Sequence, residues 1–190
     1  MQMIRRNSMS DMDRFWSIMD QTAEGFPDEN TQLERLERHL HALEIPDLIA
    51  FEHDFDRVLA ELISEEIIDV ADLCSACFTN DTLDYFCYRI VALGRDAHDA
   101  IRTDPDCIGV YLAQVPGYKG FAGFETIRYI PGEVHEVRTG QPIPVIDVDE
   151  LNIPAIDYQR KTADELKALY PKTAAWAWDL DNPQGSPDIG

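Results

Sequence analysis

The residues best suited to chemistry lie between Leu73 and Ala100, in the stretch LCSACFTNDTLDYFCYRIVALGRDAHDA, which holds three of the chain's four cysteines, two aspartates three apart and a Gly-Arg pair. Cys74-Ser75-Ala76-Cys77 has the spacing of half a zinc site or of a redox dithiol. Zinc takes about four ligands, usually from two such pairs or from a pair with closely spaced histidines, and the chain has no second Cys-x-x-Cys. A thioredoxin-like dithiol would follow a strand, whereas this pair lies inside an apolar helical pattern. The cysteines therefore read as small buried hydrophobes.

Five histidines, at 39, 41, 53, 98 and 135, could build a di-iron site in a bundle only with Glu three residues before two of them, and none has it. His53, Asp54 and Asp56 form the tightest local cluster, but a carboxylate three residues from a histidine is ordinary on an acidic helix. No metal and no cofactor are expected. Gly-x-Ser-x-Gly, His-Glu-x-x-His and a Gly-rich loop before a helix are all missing, so no catalytic residue is assigned. Two of the many carboxylates could still converge for acid/base chemistry. Asp81 and Asp84 read as a helix start, with Asn80 or Asp81 as N-cap and Asp84 at the third helical position. Arg95, after Gly94, is placed in mid-helix, where it can pair with Asp56 or Asp84. Asp56, Asp84 and Arg95 are thus the candidate polar cluster, either a structural ion pair or the lining of a pocket.

The elements that must position these residues are helices. Met12, Phe15, Trp16 and Met19 recur at helical spacing behind Ser10, giving a helix over 11–23. A second starts near Asp28 or Asn30 with Leu33, Leu36, Leu40 and Leu43 on one stripe. Pro46 opens a third, lined by Leu48, Phe51, Phe55, Val58, Leu59 and Leu62. A short helix over 65–78 follows, with Ile67, Ile68, Ala71, Cys74 and Phe78 inward. Leu83, Phe86, Ile90, Ala97 and Ile101 then predict one long helix to Thr103. A further helical pattern, Phe121, Phe124, Ile127 and Val134, reaches Gly140 across an interruption at Pro131-Gly132. Residues 141–156 read as extended chain with room for a short strand, Thr162 caps a last short helix, and the end has the composition of a disordered tail. The fold class is an all-α, irregular multi-helix bundle. Its organisation is a flexible 1–10, a helical domain 11–140, a mostly extended C-terminal extension 141–180 with one short helix, and a tail 181–190.

Charge narrows the function. Thirty-six acids against 16 lysines and arginines leave a net charge of −20. Between Glu44 and Asp84 there are twelve acids and one base, Arg57. Nucleic-acid binding depends on neutralising phosphates with Lys and Arg, so nucleic acid is not an expected partner. A basic protein would be steered toward such a surface instead. No stretch has the roughly 18 apolar residues of a membrane span, and no secretory signal follows Arg5 and Arg6, so a soluble, cytoplasmic protein is expected. The cysteines are too few and too clustered for a secreted disulfide framework.

One resemblance emerges from the residues taken in order. Met12-Asp13-Arg14-Phe15-Trp16, Ile49-Ala50-Phe51 with Phe55-Asp56-Arg57-Val58-Leu59, Asp84-Tyr85-Phe86, Gly94-Arg95, Asp104-Pro105-Asp106 and Gly140-x-Pro142 resemble the bacterial family catalogued as domain of unknown function 4240, over about residues 12–140. The family's Gly-Gly-Cys-Ser stretch is replaced here by Ala76-Cys77-Phe78-Thr79, and its Arg after Asp-x-Phe by Cys87. The resemblance implies a small, mainly helical bacterial domain and brings no activity with it. Binding is therefore favoured over catalysis. The expected function is to bind a basic protein, in the manner of an immunity or antitoxin-like inhibitor of a nuclease, through a surface containing Glu52, Glu61, Glu65, Glu66, Asp69 and Asp72. The alternative is an enzyme or small-molecule-binding protein with a polar pocket at Asp56, Asp84 and Arg95.

Overall fold

The computed structural model describes residues 10–74, 79–115 and 123–181; Cys77, the core positions proposed at Phe78 and Phe121, and the terminal segments 1–9 and 182–190 lie outside them. The described residues form α-helices and short 3₁₀ turns, with no strand among them.

The first three helices follow the apolar spacing closely. α1 (Asp11–Ala23) starts where the Ser10 hydroxyl accepts the Asp13 N–H at 3.1 Å, and α2 (Glu29–His41) where Asp28 accepts the Thr31 N–H at 3.0 Å. Each bond satisfies an amide that the helix itself leaves unpaired. α3 (Ile45–Ala60) has Pro46 in its first turn, where a missing N–H costs nothing. Phe15 of α1 meets Phe51 and Phe55 of α3, with 4.8 Å between the Phe15 and Phe51 ring centroids, and Trp16 packs on Phe15. All four rings are buried. At roughly 1.5–3 kcal/mol for each fully buried large apolar side chain, this cluster is a principal source of stability. α4 (Glu65–Leu73) is capped by Ser64.

The long helix expected to Thr103 is two helices. α5 (Asn80–Ala92) ends before Gly94, which has φ +93° and starts α6 (Arg95–Thr103). Side-chain spacing does not reveal this break, because the apolar positions continue across it. The cause is local: left-handed backbone at glycine, and a close approach of α1. A Cβ at Gly94 would lie 2.8 Å from Asp20 Oδ1, and the same oxygen accepts the Arg95 N–H at 2.7 Å, so α1 supplies the cap that α6 lacks. The start of α5 also differs from expectation. Thr79 is the N-cap, in a reciprocal capping box with Thr82, so Asp84 is the fifth helical residue and is not consumed by capping.

A 3₁₀ turn (Pro105–Cys107) leads into α7 (Ile108–Leu112), and another (Glu125–Arg128) into α8 (Ile130–Thr139). Pro131 does not interrupt a helix; it sits in the first turn of α8, and Gly140, left-handed at φ +71°, ends it. The extension runs without regular structure apart from a 3₁₀ turn (Val148–Glu150) and then forms α9 (Ala163–Leu169) and α10 (Pro171–Asp181). It therefore carries two helices, not one. α9 is capped by Thr162 as expected, with a capping box to Glu165. α10 is built by distant residues. Asp106 accepts the Lys172 and Thr173 N–H groups at 3.2 and 2.8 Å, and Gly109 leaves room for Trp176, whose Cβ would be 2.8 Å from a Cβ at that glycine. α9 and α10 pack on α4 and α10 on α7, so the extension is part of the helical body.

Candidate functional site

The proposed trio does not assemble. Arg95 is exposed and reaches Asp13 at 3.3 Å, on the far side of the α5–α6 break from Asp84. Its geometry follows from that break, since in α6 the side chain leaves the face that an unbroken helix would have given it. Asp56 and Asp84 do come together, as two sides of an open groove of about 180 Å³ between α3 and α5. Leu59, Ala60 and Ile63 continue the α3 wall, Cys87 and Tyr88 the α5 wall, and Leu151 and Ile153 of the extension close it.

The cation in this region is Arg128. Its guanidinium donates to Glu52 Oε1 at 2.6 Å and to Asp56 Oδ1 at 2.8 Å, and stands 5.5 Å from the Phe55 ring centroid. Glu52 and Asp56 are i and i+4 on α3, and one arginine serves both. Burial of Glu52 pushes its carboxyl up, against the pull of Arg128; Arg128 in turn stays above its ordinary value because Glu52 and Asp56 outweigh its own desolvation. The sequence held a signal for this pair, since two acids four apart on an apolar helix need a cation, but the partner is more than 70 residues away and no local pattern marks it. His53, from the proposed metal cluster, bonds the Pro144 carbonyl at 3.1 Å instead, and no group of three or more potential ligands converges among the described residues.

Asp84 differs from Asp56 in having no hydrogen-bond or ion-pair partner among the described residues. Desolvation at the groove wall, then Asp81, push its carboxyl up. Tyr88 is raised to about 12 by desolvation and then by Asp84. Cys87, in the position where the resemblance expects Arg, is buried, and its thiol is pushed up to about 12. It is therefore not a thiolate near neutrality and not an activated nucleophile. Cys74 is likewise raised to about 12 by burial.

The acidic surface needs a larger correction. Of its six residues, Glu61, Glu65 and Glu66 are exposed, while Glu52, Asp69 and Asp72 are buried. Glu52 is held by Arg128. Asp69 accepts the Tyr158 hydroxyl at 3.0 Å, the Tyr170 hydroxyl at 2.9 Å and the Lys161 ammonium at 2.9 Å. Asp72 accepts from Nε and Nη2 of Arg160, at 2.9 and 2.8 Å. These two acids fasten the chain's own extension to α4, and a buried charge persists only when paired in this way. Counting acids along the sequence could not separate them from their exposed neighbours.

Fold and site define an all-α domain with an apolar-walled groove rimmed by carboxylates. The chain belongs to the family described as Protein of unknown function (DUF4240), whose model matches residues 10–137, from the cap of α1 into α8. Leu151 and Ile153, and the residues of the extension that Asp69, Asp72 and Asp106 hold, lie beyond that match. No curated protein and no solved structure matches the chain. Among the described residues no helix is long and apolar enough to cross a membrane.

Proposed function

We propose that this chain works in the cytosol by binding a basic protein. The observation that supports this most is negative charge left unneutralised at the surface after the internal pairs are taken out. Glu65, Glu66, Asp81 and Asp84 are exposed and have no ion pair among the described residues, in a chain of net charge −20. Such a surface steers a basic partner into encounter and repels acidic ones. An immunity or antitoxin-like inhibitor, whose carboxylates stand where a nuclease binds phosphates, is the form of this activity that the charge favours. The small-molecule reading has the groove in its favour, but about 180 Å³ falls below the roughly 300–1,000 Å³ of pockets for drug-sized ligands.

The test is capture from host lysate on the immobilised full chain at low and at high salt, with bound proteins identified by mass spectrometry. One stoichiometric basic protein, absent from a control resin carrying an unrelated acidic protein and released by salt, supports the proposal. Retention of a neutral or acidic protein, or no stoichiometric partner at low salt, overturns it.

A further inference from the structure

Building on that reading, we propose that the groove between α3 and α5 receives one lysine side chain of the basic partner, with Asp84 as its counter-ion. The shape selects a single side chain. The groove has about 180 Å³, and Leu59, Ala60 and Ile63 on the α3 side, with Leu151 and Ile153 closing it, offer methyl and methylene contacts. Lysine carries a compact charge on a flexible four-carbon stem, so it buries the stem along such walls and keeps its ammonium at a polar mouth.

The charge selects a cation and places it. Asp56 and Asp84 are both acceptors in the groove, but Asp56 is already engaged by Arg128 at 2.8 Å. Among the described residues Asp84 has no partner, and Asp81 on the same helix adds to the negative charge there. An ammonium there completes the arrangement that Arg128 makes with Asp56. Tyr88 lines the α5 wall together with Asp84 and adds an aromatic ring, a surface that attracts cations. A carboxylate ligand would meet two like charges, and an uncharged alkyl group would leave Asp84 partly desolvated without compensation.

The experiment uses methyl-labelled full chain with two probes. Butylamine, which reproduces the lysine side chain, is titrated while the methyl signals of Leu59, Ile63, Leu151 and Ile153 are followed by NMR, in the wild type and in Asp84→Asn. Decalysine affinity is then measured for wild type, Asp84→Asn and Asp96→Asn; the last removes one exposed charge from α6, outside the groove. The proposal predicts groove-confined shifts that disappear in Asp84→Asn, and a loss of decalysine affinity of about tenfold in Asp84→Asn against less than about twofold in Asp96→Asn. Equal losses in the two variants overturn the groove and leave the basic-partner reading intact. Absence of decalysine binding at low salt overturns both. Asp84 is exposed, so its variant is expected to melt like the wild type; Ala60→Phe, which fills the groove without touching its charge, should block butylamine equally, and continued butylamine binding in that variant counts against the site.

Discussion

Replacing Asp69 with alanine should loosen the whole C-terminal part of the molecule. This carboxylate is 2% exposed, and both of its oxygens are in use, by two tyrosine hydroxyls and an ammonium from three points of the extension. Hydrogen bonds to a charged group contribute about 1.5–3 kcal/mol each, and removing one partner of a buried ion pair costs about 3–5 kcal/mol. The three bonds share one acceptor group and are not additive. Lys161 is partly exposed and regains water when freed, so the loss is set by the stranded tyrosines and the cavity, at about 3–5 kcal/mol. For a chain of this size each kcal/mol moves the midpoint by about 2–4 °C, giving a drop of roughly 6–20 °C in Tm. Urea unfolding combined with amide hydrogen exchange checks this, with protection expected to fall first in α9 and α10. Asp69→Asn, which keeps the shape and one of the two acceptor oxygens, should lie between. An unchanged urea midpoint together with unchanged protection of α9 and α10 would refute the reasoning, because it would mean that the extension is held by apolar contacts alone.

Three further outcomes are expected. Arg128→Met strands Glu52 and Asp56 and should destabilise by about 3–5 kcal/mol; adding Glu52→Gln should recover part of the loss, and a strictly additive double variant in urea melts would show that the two do not interact. Gly94→Ala forces a side chain into left-handed backbone and onto Asp20, at a cost of about 1–3 kcal/mol measured by thermal melting, whereas a neutral result would mean that α5 and α6 can join. Stability should also respond to pH with a definite sign. Glu52, Asp54 and Asp84 are raised chiefly by burial, so the stability linked to them is complete below the ordinary values of 4.5 and 3.8 and is lost as pH rises through the folded values. Asp13, Asp28 and Glu165 are lowered by bonds to Ser10, Thr31 and Thr162, and their contribution is lost as pH falls through their folded values. Urea midpoints should therefore climb as pH drops from neutral toward about 4.5 and decline in stronger acid; a steady decline from neutral downward would contradict the assignment.

The helical class was legible because apolar side chains recur at helical spacing; the caps at Ser10 and Thr162 marked two helix starts from local chemistry alone, and Asp28 was one of two candidates for a third. What escaped was set by contacts far apart in the chain. The α5–α6 break depends on Asp20 reaching Arg95, and α10 depends on Asp106 and on the space beside Gly109. At the candidate site, Asp56 and Asp84 could be picked out from their helical positions, but their environment could not. Arg95 was the base that a one-helix picture set beside them, while the base that serves Asp56 is Arg128, on a 3₁₀ turn 72 residues further along the chain. Asp69 and Asp72 looked like surface charge for the same reason, since Tyr158, Arg160, Lys161 and Tyr170 lie about 90 or more residues away.

The most direct measurement of the central claim is the dissociation constant between the full chain and the captured partner by titration calorimetry, at low and at high salt. Exposed carboxylates facing a basic surface lose their attraction once the Debye length shrinks from about 30 Å at 0.01 M to about 3 Å at 1 M. Binding at about one to one that weakens steeply with salt is the predicted result. An affinity that is unchanged across that range would contradict it, because the association would then rest on apolar contact and the surface charge would be incidental.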